Sequence, residues 1–409
     1  MRHALLLFVI LLLFACKNDP DPIPVDIVTY SDALSFNGNE KWLIAWNSNG
    51  DLLDYKKYVS SEVVTLKSTG DIPDNKVTIG FLTYSYDDDY GYKSHDIVLY
   101  TDIAPGQTFS YELPSSSGLN VDFTKTFTVN VASNDGIYHD LKISDASGYL
   151  LSGMTGIGDL QSDVTIVPPG EYNAIFRSSD GVRHKILSNV EAGDVITLKD
   201  EDFTPYEHQV TYTYPPGKVH LFINGYTPQM PPATNGVVLD FYLAGNNSTS
   251  ITTGYYGNSF SRFLTSFTHA TDNGRTRFEF AKNGSLPTKI DLPEPISVSA
   301  TNKDPFNPVI STPSNVLFHE LRWGNQLYEG SGPKTAGYVQ WTVIGQSTQV
   351  KIGGLPDEIL TAYPLFKIDA SHHEYSKIFL GPQTYNEYVV GKLKGNSWGG
   401  FEQTSIMYR

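Results

Sequence analysis

Lys76-Val-Thr-Ile-Gly-Phe-Leu-Thr-Tyr-Ser-Tyr86 decides the fold. Val77, Ile79 and Phe81 fall on one side of an extended chain, the pattern of a strand with one buried face. The stretch has the β-branched and aromatic residues that suit a pleated surface. Lys218-Val-His-Leu-Phe-Ile-Asn224, Val237-Val-Leu-Asp-Phe-Tyr-Leu243 and Thr276-Arg-Phe-Glu-Phe-Ala281 read in the same way. Between such runs stand Gly, Pro, Asn and Asp, the residues of turns. No amphipathic helix of ten residues or more is legible, and one helical turn is expected at 357–362. The expectation is an all-β chain of tandem antiparallel β-sandwich domains.

Composition agrees. Twenty-six tyrosines and 21 phenylalanines supply large apolar surfaces, and 40% hydrophobic residues suffice for real cores. At 409 residues the chain is long enough for two to four domains. A formal net charge of −15 argues against nucleic acid as a partner, because phosphate binding needs clustered Lys and Arg.

The N-terminus carries an address. Arg2 and His3 precede an apolar run, Ala4 to Phe14, which is too short to span a bilayer but suits a signal peptide. Leu13-Phe14-Ala15-Cys16 follows, and Cys16 is the one cysteine of the sequence. This resembles the lipobox of bacterial lipoproteins. The resemblance implies removal of residues 1–15 and lipidation of Cys16, so that the membrane becomes a partner through the anchor. An ordinary secretory signal is the alternative. Cys16-Lys17-Asn18-Asp19-Pro20-Asp21 resembles the lysine-plus-acid export signal of surface lipoproteins in Bacteroidota, with Asn18 where an acid is common. That resemblance implies an outer-membrane location facing the cell exterior. Residues 16–25, rich in Pro and Asp, form an extended tether. One cysteine leaves no disulfide to stabilise the mature chain.

Two segments share an order of elements. Leu43-Ile-Ala-Trp-Asn47-Ser-Asn-Gly50 aligns with Leu141-Lys-Ile-Ser-Asp145-Ala-Ser-Gly148. Ile103-Ala-Pro-Gly106 aligns with Val190-Glu-Ala-Gly193. The expected divisions are a β-sandwich at 26–119, a second at 120–205, and a larger β region at 206–409, whole or split near 298. In the second, Asp145-Ala-Ser-Gly148 and Pro169-Gly-Glu-Tyr172 resemble the transthyretin-like, carboxypeptidase-regulatory-like sandwiches. These imply a non-catalytic spacer or adhesive unit.

No motif makes the chain an enzyme. Gly395-Asn-Ser397-Trp-Gly399 fits the nucleophile elbow, but no histidine follows it and no parallel α/β pattern holds it. His372-His373-Glu374 and His319-Glu320 lack a spacing that turns two ligands to one metal ion, so no metal site and no cofactor is assigned. Asp87-Asp88-Asp89 is the exception, since three carboxylates could contribute to a calcium site. An acidic hairpin tip is its structural explanation. Tyr84, Tyr86, Tyr90 and Tyr92 surround it and are the candidate ligand platform, with Tyr255-Tyr256 and Trp42/Trp46 as further aromatic pairs. Three readings of function follow. The first is a non-catalytic binding or structural lipoprotein that contacts another surface protein. The second is a glycan-binding lipoprotein of a polysaccharide-capture system. The third is a carboxylate-dependent hydrolase on a β-sandwich.

If Cys16 carries the anchor, Cys16→Ser releases the protein from membranes or blocks its processing. Unchanged partition of the mutant into detergent contradicts lipidation at this residue.

Overall fold

The structure is a computed structural model. It describes residues 23–32, 40–87, 92–111, 124–132, 138–145, 150–167, 170–178, 181–228, 230, 236–244, 248–271, 274–294, 296, 299–302, 304–328, 335–367, 372–394 and 401–409. Cys16, Asp88, Asp89, Tyr90, Gly148 and the segment 395–400 lie outside these.

The fold is predominantly β, as the alternation requires. Four sets of strands follow one another. The first is β1 (Val25–Asp32), β2 (Glu40–Asn47), β3 (Leu52–Tyr58), β4 (Val63–Ser68), β5 (Val77–Asp87), β6 (Tyr92–Ile103) and β7 (Gln107–Tyr111). The second is β8 (Thr126–Ala132), β9 (Tyr138–Asp145), β10 (Leu150–Ile157), β11 (Leu160–Thr165), β12 (Tyr172–Ser178), β13 (Gly181–Leu187) and β14 (Val195–Lys199), with a two-residue β15 (Thr204–Pro205). The third is β16 (His208–Thr213), β17 (Lys218–Tyr226), β18 (Val237–Ala244), β19 (Ser250–Tyr255), β20 (Arg262–Thr271) and β21 (Thr276–Gly284). The fourth is β22 (Ser299–Asn302), β23 (Val309–Ser311), β24 (Phe318–Tyr328), β25 (Thr335–Gly345), β26 (His373–Pro382) and β27 (Phe401–Tyr408). It also holds two helices, α1 (Asp357–Ala362) and α2 (Tyr385–Leu393).

One connectivity recurs through the sets. In the first, β1 pairs antiparallel with β4 and parallel with β7, while β2 lies between β3 and β5, and β6 follows β5. The second repeats this with β8, β11 and β14, then β10, β9, β12 and β13. Among the described residues the third and fourth sets keep six of the seven places. β16 pairs β19, and a single bridge, Val309 to Gln349, stands for that pairing in the fourth set. The glycines that align in the sequence do equivalent work. Gly106 and Gly193 both have positive φ, and their N–H groups donate to Ile27 and Thr126 at 2.8 Å, closing the parallel ladders. The Asn47 side chain accepts from the N–H groups of Asn49 and Asp51, as the turn reading expects.

The large sheets of sets one, three and four join edge to edge. They make a single sheet of twelve strands, β18-β17-β20-β21-β27-β26-β24-β25-β6-β5-β2-β3. Two junctions build it. β21 pairs antiparallel with β27, and β25 pairs parallel with β6. Set one therefore does not stand apart as a bead at the front of a string. Its sheet continues into the last part of the chain, and hydrophobic burial explains why. On the back face, Trp42, Ile44 and Trp46 of β2 pack in one core with Trp323, Trp341, Ile352 and Ile359. On the front face, Leu43 and Ala45 pack against β1, β4 and β7 together with Tyr385 and Tyr388 of α2. Seven of the eight β2 residues are buried, and Trp42–Trp46 reads as a continuous apolar run rather than an alternation.

Close backbone contacts tighten this junction. The Trp46 indole N–H donates to the Gly354 carbonyl at 3.0 Å. Gly50 has φ +90°, and a Cβ there would stand 3.1 Å from the Gly353 nitrogen. A Cβ on Gly80 would come within 2.7 Å of the Trp46 ring. Near the end of β6, Asp102 accepts from Gln346 N (3.0 Å) and Ser347 N (2.9 Å) of the segment after β25. Burial pushes the Asp102 carboxyl up, but bonds from Ser347, Thr101 and Gln346 outweigh it and hold it down at about 2. Helix α2 starts with a capping box between Thr384 and Glu387. Its buried Tyr385, Tyr388, Val389 and Leu393 form one apolar stripe. The helical turn expected at 357–362 is α1, with Ile359 buried in the back core.

Set two is outside the long sheet and lies against its far end. Ile175 and Val182 pack on Phe222 and Phe241 of the front face. Asn173 donates to the Val238 carbonyl at 2.9 Å, and Arg177 pairs with the buried Asp240 at 2.5 Å.

Candidate functional site

Registers show which part of the sheet stays open. On the back face β16 and β19 pack over one part of the sheet, and residues 306–310 and 350–366 over the other. On the front face, set two covers β17 and β18, and set one's small sheet with α2 covers the other end. Between them seven neighbouring strands, in sheet order β20, β21, β27, β26, β24, β25 and β6, present a front strip. Six spacings of about 4.8 Å make it about 29 Å across.

The strip is polar and charged. The sequence of β21 alternates, with Phe278 and Phe280 in the core and Arg277 and Glu279 on the other side. Glu279 is held from two strands, by Lys377 Nζ at 2.6 Å and Arg277 Nε at 3.1 Å. With Ser266, Thr268 and Ser405 these groups line a recess of about 190 Å³. The next strands continue it. Glu320 of β24 accepts from the hydroxyls of Tyr375 and, at 3.2 Å, Tyr388. Arg322 reaches Glu374 at 2.8 Å and also donates to the Gln340 side chain. Its guanidinium lies over the Tyr375 ring. At the far edge Tyr338 donates to Asp96 at 2.9 Å, with Tyr92 beside it at 5.8 Å. Burial raises the hydroxyl pKa of Tyr375, and Glu320 raises it further. Burial also raises the Asp96 carboxyl, against the Tyr338 bond. The strip is thus a ready-made network of donors and acceptors fixed on rigid strands. It can offer directional hydrogen bonds and part-exposed tyrosine rings to a polar ligand.

The residues singled out from the sequence are dispersed. The tyrosine platform does not form as expected. Pairing places Tyr84 opposite His95, Tyr86 opposite Lys93 and Tyr92 opposite Asp87. Cross-strand partners share a face, so Tyr84 and Tyr86 are on the back and Tyr92 on the front. Tyr84 packs against Tyr363 at 5.1 Å, at the margin of the tryptophan core. Tyr86 is 42% exposed, and Tyr90 lies outside the described residues. The backbone of Asp87 ends β5, while Asp88 and Asp89 lie outside the description. No group of three potential metal ligands occurs among the described residues. His373 stacks edge-on against Trp323 and contacts Ser376, whereas Glu374 pairs with Arg322. Trp42 and Trp46 are core. Tyr256 stacks on His184 at 4.2 Å and belongs to the junction of sets two and three.

The sequence reading missed the strip because its members come from seven strands spread along the chain. The usable signal was local. Thr276-Arg-Phe-Glu-Phe-Ala281 shows charged residues opposite aromatic ones, which marks an open face but not its neighbours.

No family model and no curated protein matches the chain. Among solved structures, a candidate cell adhesion protein from Parabacteroides distasonis ATCC 8503 aligns at 9% identity. The match covers 58% of this chain and all of that one, with a TM-score of 0.15. A Ca2+-stabilised adhesin of an ice-binding Antarctic bacterium aligns at 8% identity over 87% of this chain and 94% of its own, TM-score 0.12. A tetra-tandem repeat from the extending region of a large adhesion protein gives 10% identity over 93% and 98%, TM-score 0.12. Scores at this level carry no argument about fold or function.

His319 and Glu320 point to opposite faces. Burial holds the His319 imidazole neutral, with its pKa down at about 4. Unfolded, it titrates near 6.5. Between these values the unfolded state binds more protons, so stability falls as pH drops from about 6.5 to about 4, on the order of 3 kcal/mol in all. His319→Leu should make denaturant-measured stability less steep over that window by about one proton. Equal slopes in wild type and variant contradict the assignment.

Proposed function

We propose that the chain is a surface lipoprotein with a non-catalytic binding role, held on the outer membrane through Cys16 and facing the exterior. In this reading residues 16–25 are the tether. The β units at 26–119, 120–205 and 206–409, the last in two parts divided near 298, carry the front strip outward. One observation supports it above others: four carboxylates of the strip, Glu279, Glu320, Glu374 and Asp96, are each engaged by a cation or a tyrosine hydroxyl. Groups so engaged fix a pattern of polar atoms better than they shuttle protons. A glycan is the second reading, favoured by the part-exposed Tyr375, Tyr338 and Tyr92 among those polar groups. Hydroxyl-rich ligands need directional bonds with an aromatic face beside them.

The test is binding of the purified chain to immobilised polysaccharides and to outer-surface protein extracts. Lys377→Ala with Tyr375→Ala should weaken the interaction tenfold or more, about 1.4 kcal/mol, with an unchanged circular dichroism spectrum. Undiminished binding removes the strip from the account. Release of reducing ends that disappears in Glu320→Gln would support the hydrolase instead.

A further inference from the structure

We propose that β10 pairs antiparallel with β10 of a second copy of this chain, joining two molecules through set two. The two large sheets have four end strands, and three of them are blunted. β3 carries Asp54, Lys56 and Lys57, charges that discourage edge pairing. β18 lies under set two, with its Val238 and Leu239 carbonyls taken by Asn173 and Tyr206. β15 has only two residues. β10 is different. Leu150-Leu-Ser-Gly-Met-Thr-Gly-Ile157 is eight residues long, with no charge and no proline. Among the described residues it pairs only with β9. Its outward positions Gly153, Thr155 and Ile157 are exposed, Ile157 at 70%.

Two observations favour a second copy as the occupant. First, the chain already joins its own units in this way. β21 and β27 hold the same place in the recurring connectivity, and they pair antiparallel over eight residues, Thr276↔Tyr408 to Asn283↔Phe401. A β10 pair would likewise join two equivalent strands antiparallel, at the place of β3 rather than of β6, as a closed two-fold interface. Second, two copies that each carry −15 repel, so contact is least opposed where charge is absent. β10 has none, and on neighbouring β9 Asp140 and Lys142 neutralise each other at 2.6 Å.

The experiment is sedimentation of the full chain in density-matched detergent over a wide concentration range, together with hydrogen exchange of residues 150–157. The proposal expects a reversible doubling of mass and β10 amides that become more protected as concentration rises. Thr155→Lys with Ile157→Lys should abolish both, because like charges would face each other across the two-fold. Val63→Lys, on the edge of another sheet, should change neither. A chain that stays monomeric throughout overturns the proposal, as does a dimer that survives the double substitution. If the double variant fails to fold, wild-type exchange decides. β10 amides insensitive to concentration refute the pairing.

Discussion

Eight residue pairs, from Gly337↔Lys93 to Ile344↔Tyr100, hold β25 against β6 in parallel, and the rest of the molecule is arranged around that ladder. A parallel pairing cannot be closed by a tight turn and needs a crossover connection. Here the connection contains all of sets two and three. What stabilises so distant a contact is the surface buried on both sides of it. Trp341 and Val343 lie behind it among the tryptophans of both segments. On the front, the Tyr385 hydroxyl sits against the carbonyls of Thr101 and Ile344, one from each strand. Fully burying one large apolar side chain contributes about 1.5–3 kcal/mol, so a few such residues outweigh the modest added entropy of a long loop.

That ladder also creates the candidate site. Because set one's own core lies on the front of the sheet and set four's on the back, joining them leaves set four's front without a second layer beyond the part that α2 covers at Phe318 and Phe379. The β21–β27 junction extends the same uncovered face into set three, and set two closes its far end. A strip that is half-buried, dry-backed and bounded on two sides favours long, paired polar side chains. Lys377 and Glu279 illustrate this: they come from different sets and meet only because the sheet is continuous. Their ion pair is 15% and 23% exposed, more sheltered than the exposed surface pairs that add little to stability.

Much of the fold was legible in the sequence. Alternation in Thr276–Ala281 located a strand and its faces, Asn47 and Gly50 located a turn, and Asp357–Ala362 a helical turn. Periodicity does not reveal which edges meet. β6 and β25 carry no mark of each other, since parallel pairing is recognised by backbone groups that every residue has. The tyrosine platform failed for a related reason. Tyr84 and Tyr92 read as neighbours on a hairpin, but whether they share a face depends on a register set by residues outside the motif. The strip was unreadable because its charges are spread over strands that only tertiary pairing assembles.

Native-state hydrogen exchange on Trp341→Ala tests the central claim, that the first and last parts of the chain form one cooperative unit through β6 and β25. Removing this ring should destabilise by about 3–5 kcal/mol. The account predicts that amides of β6 and β2 lose protection by the same amount as those of β25 and β24. Unchanged protection in β2 and β6, with loss confined to residues 304–409, would contradict it.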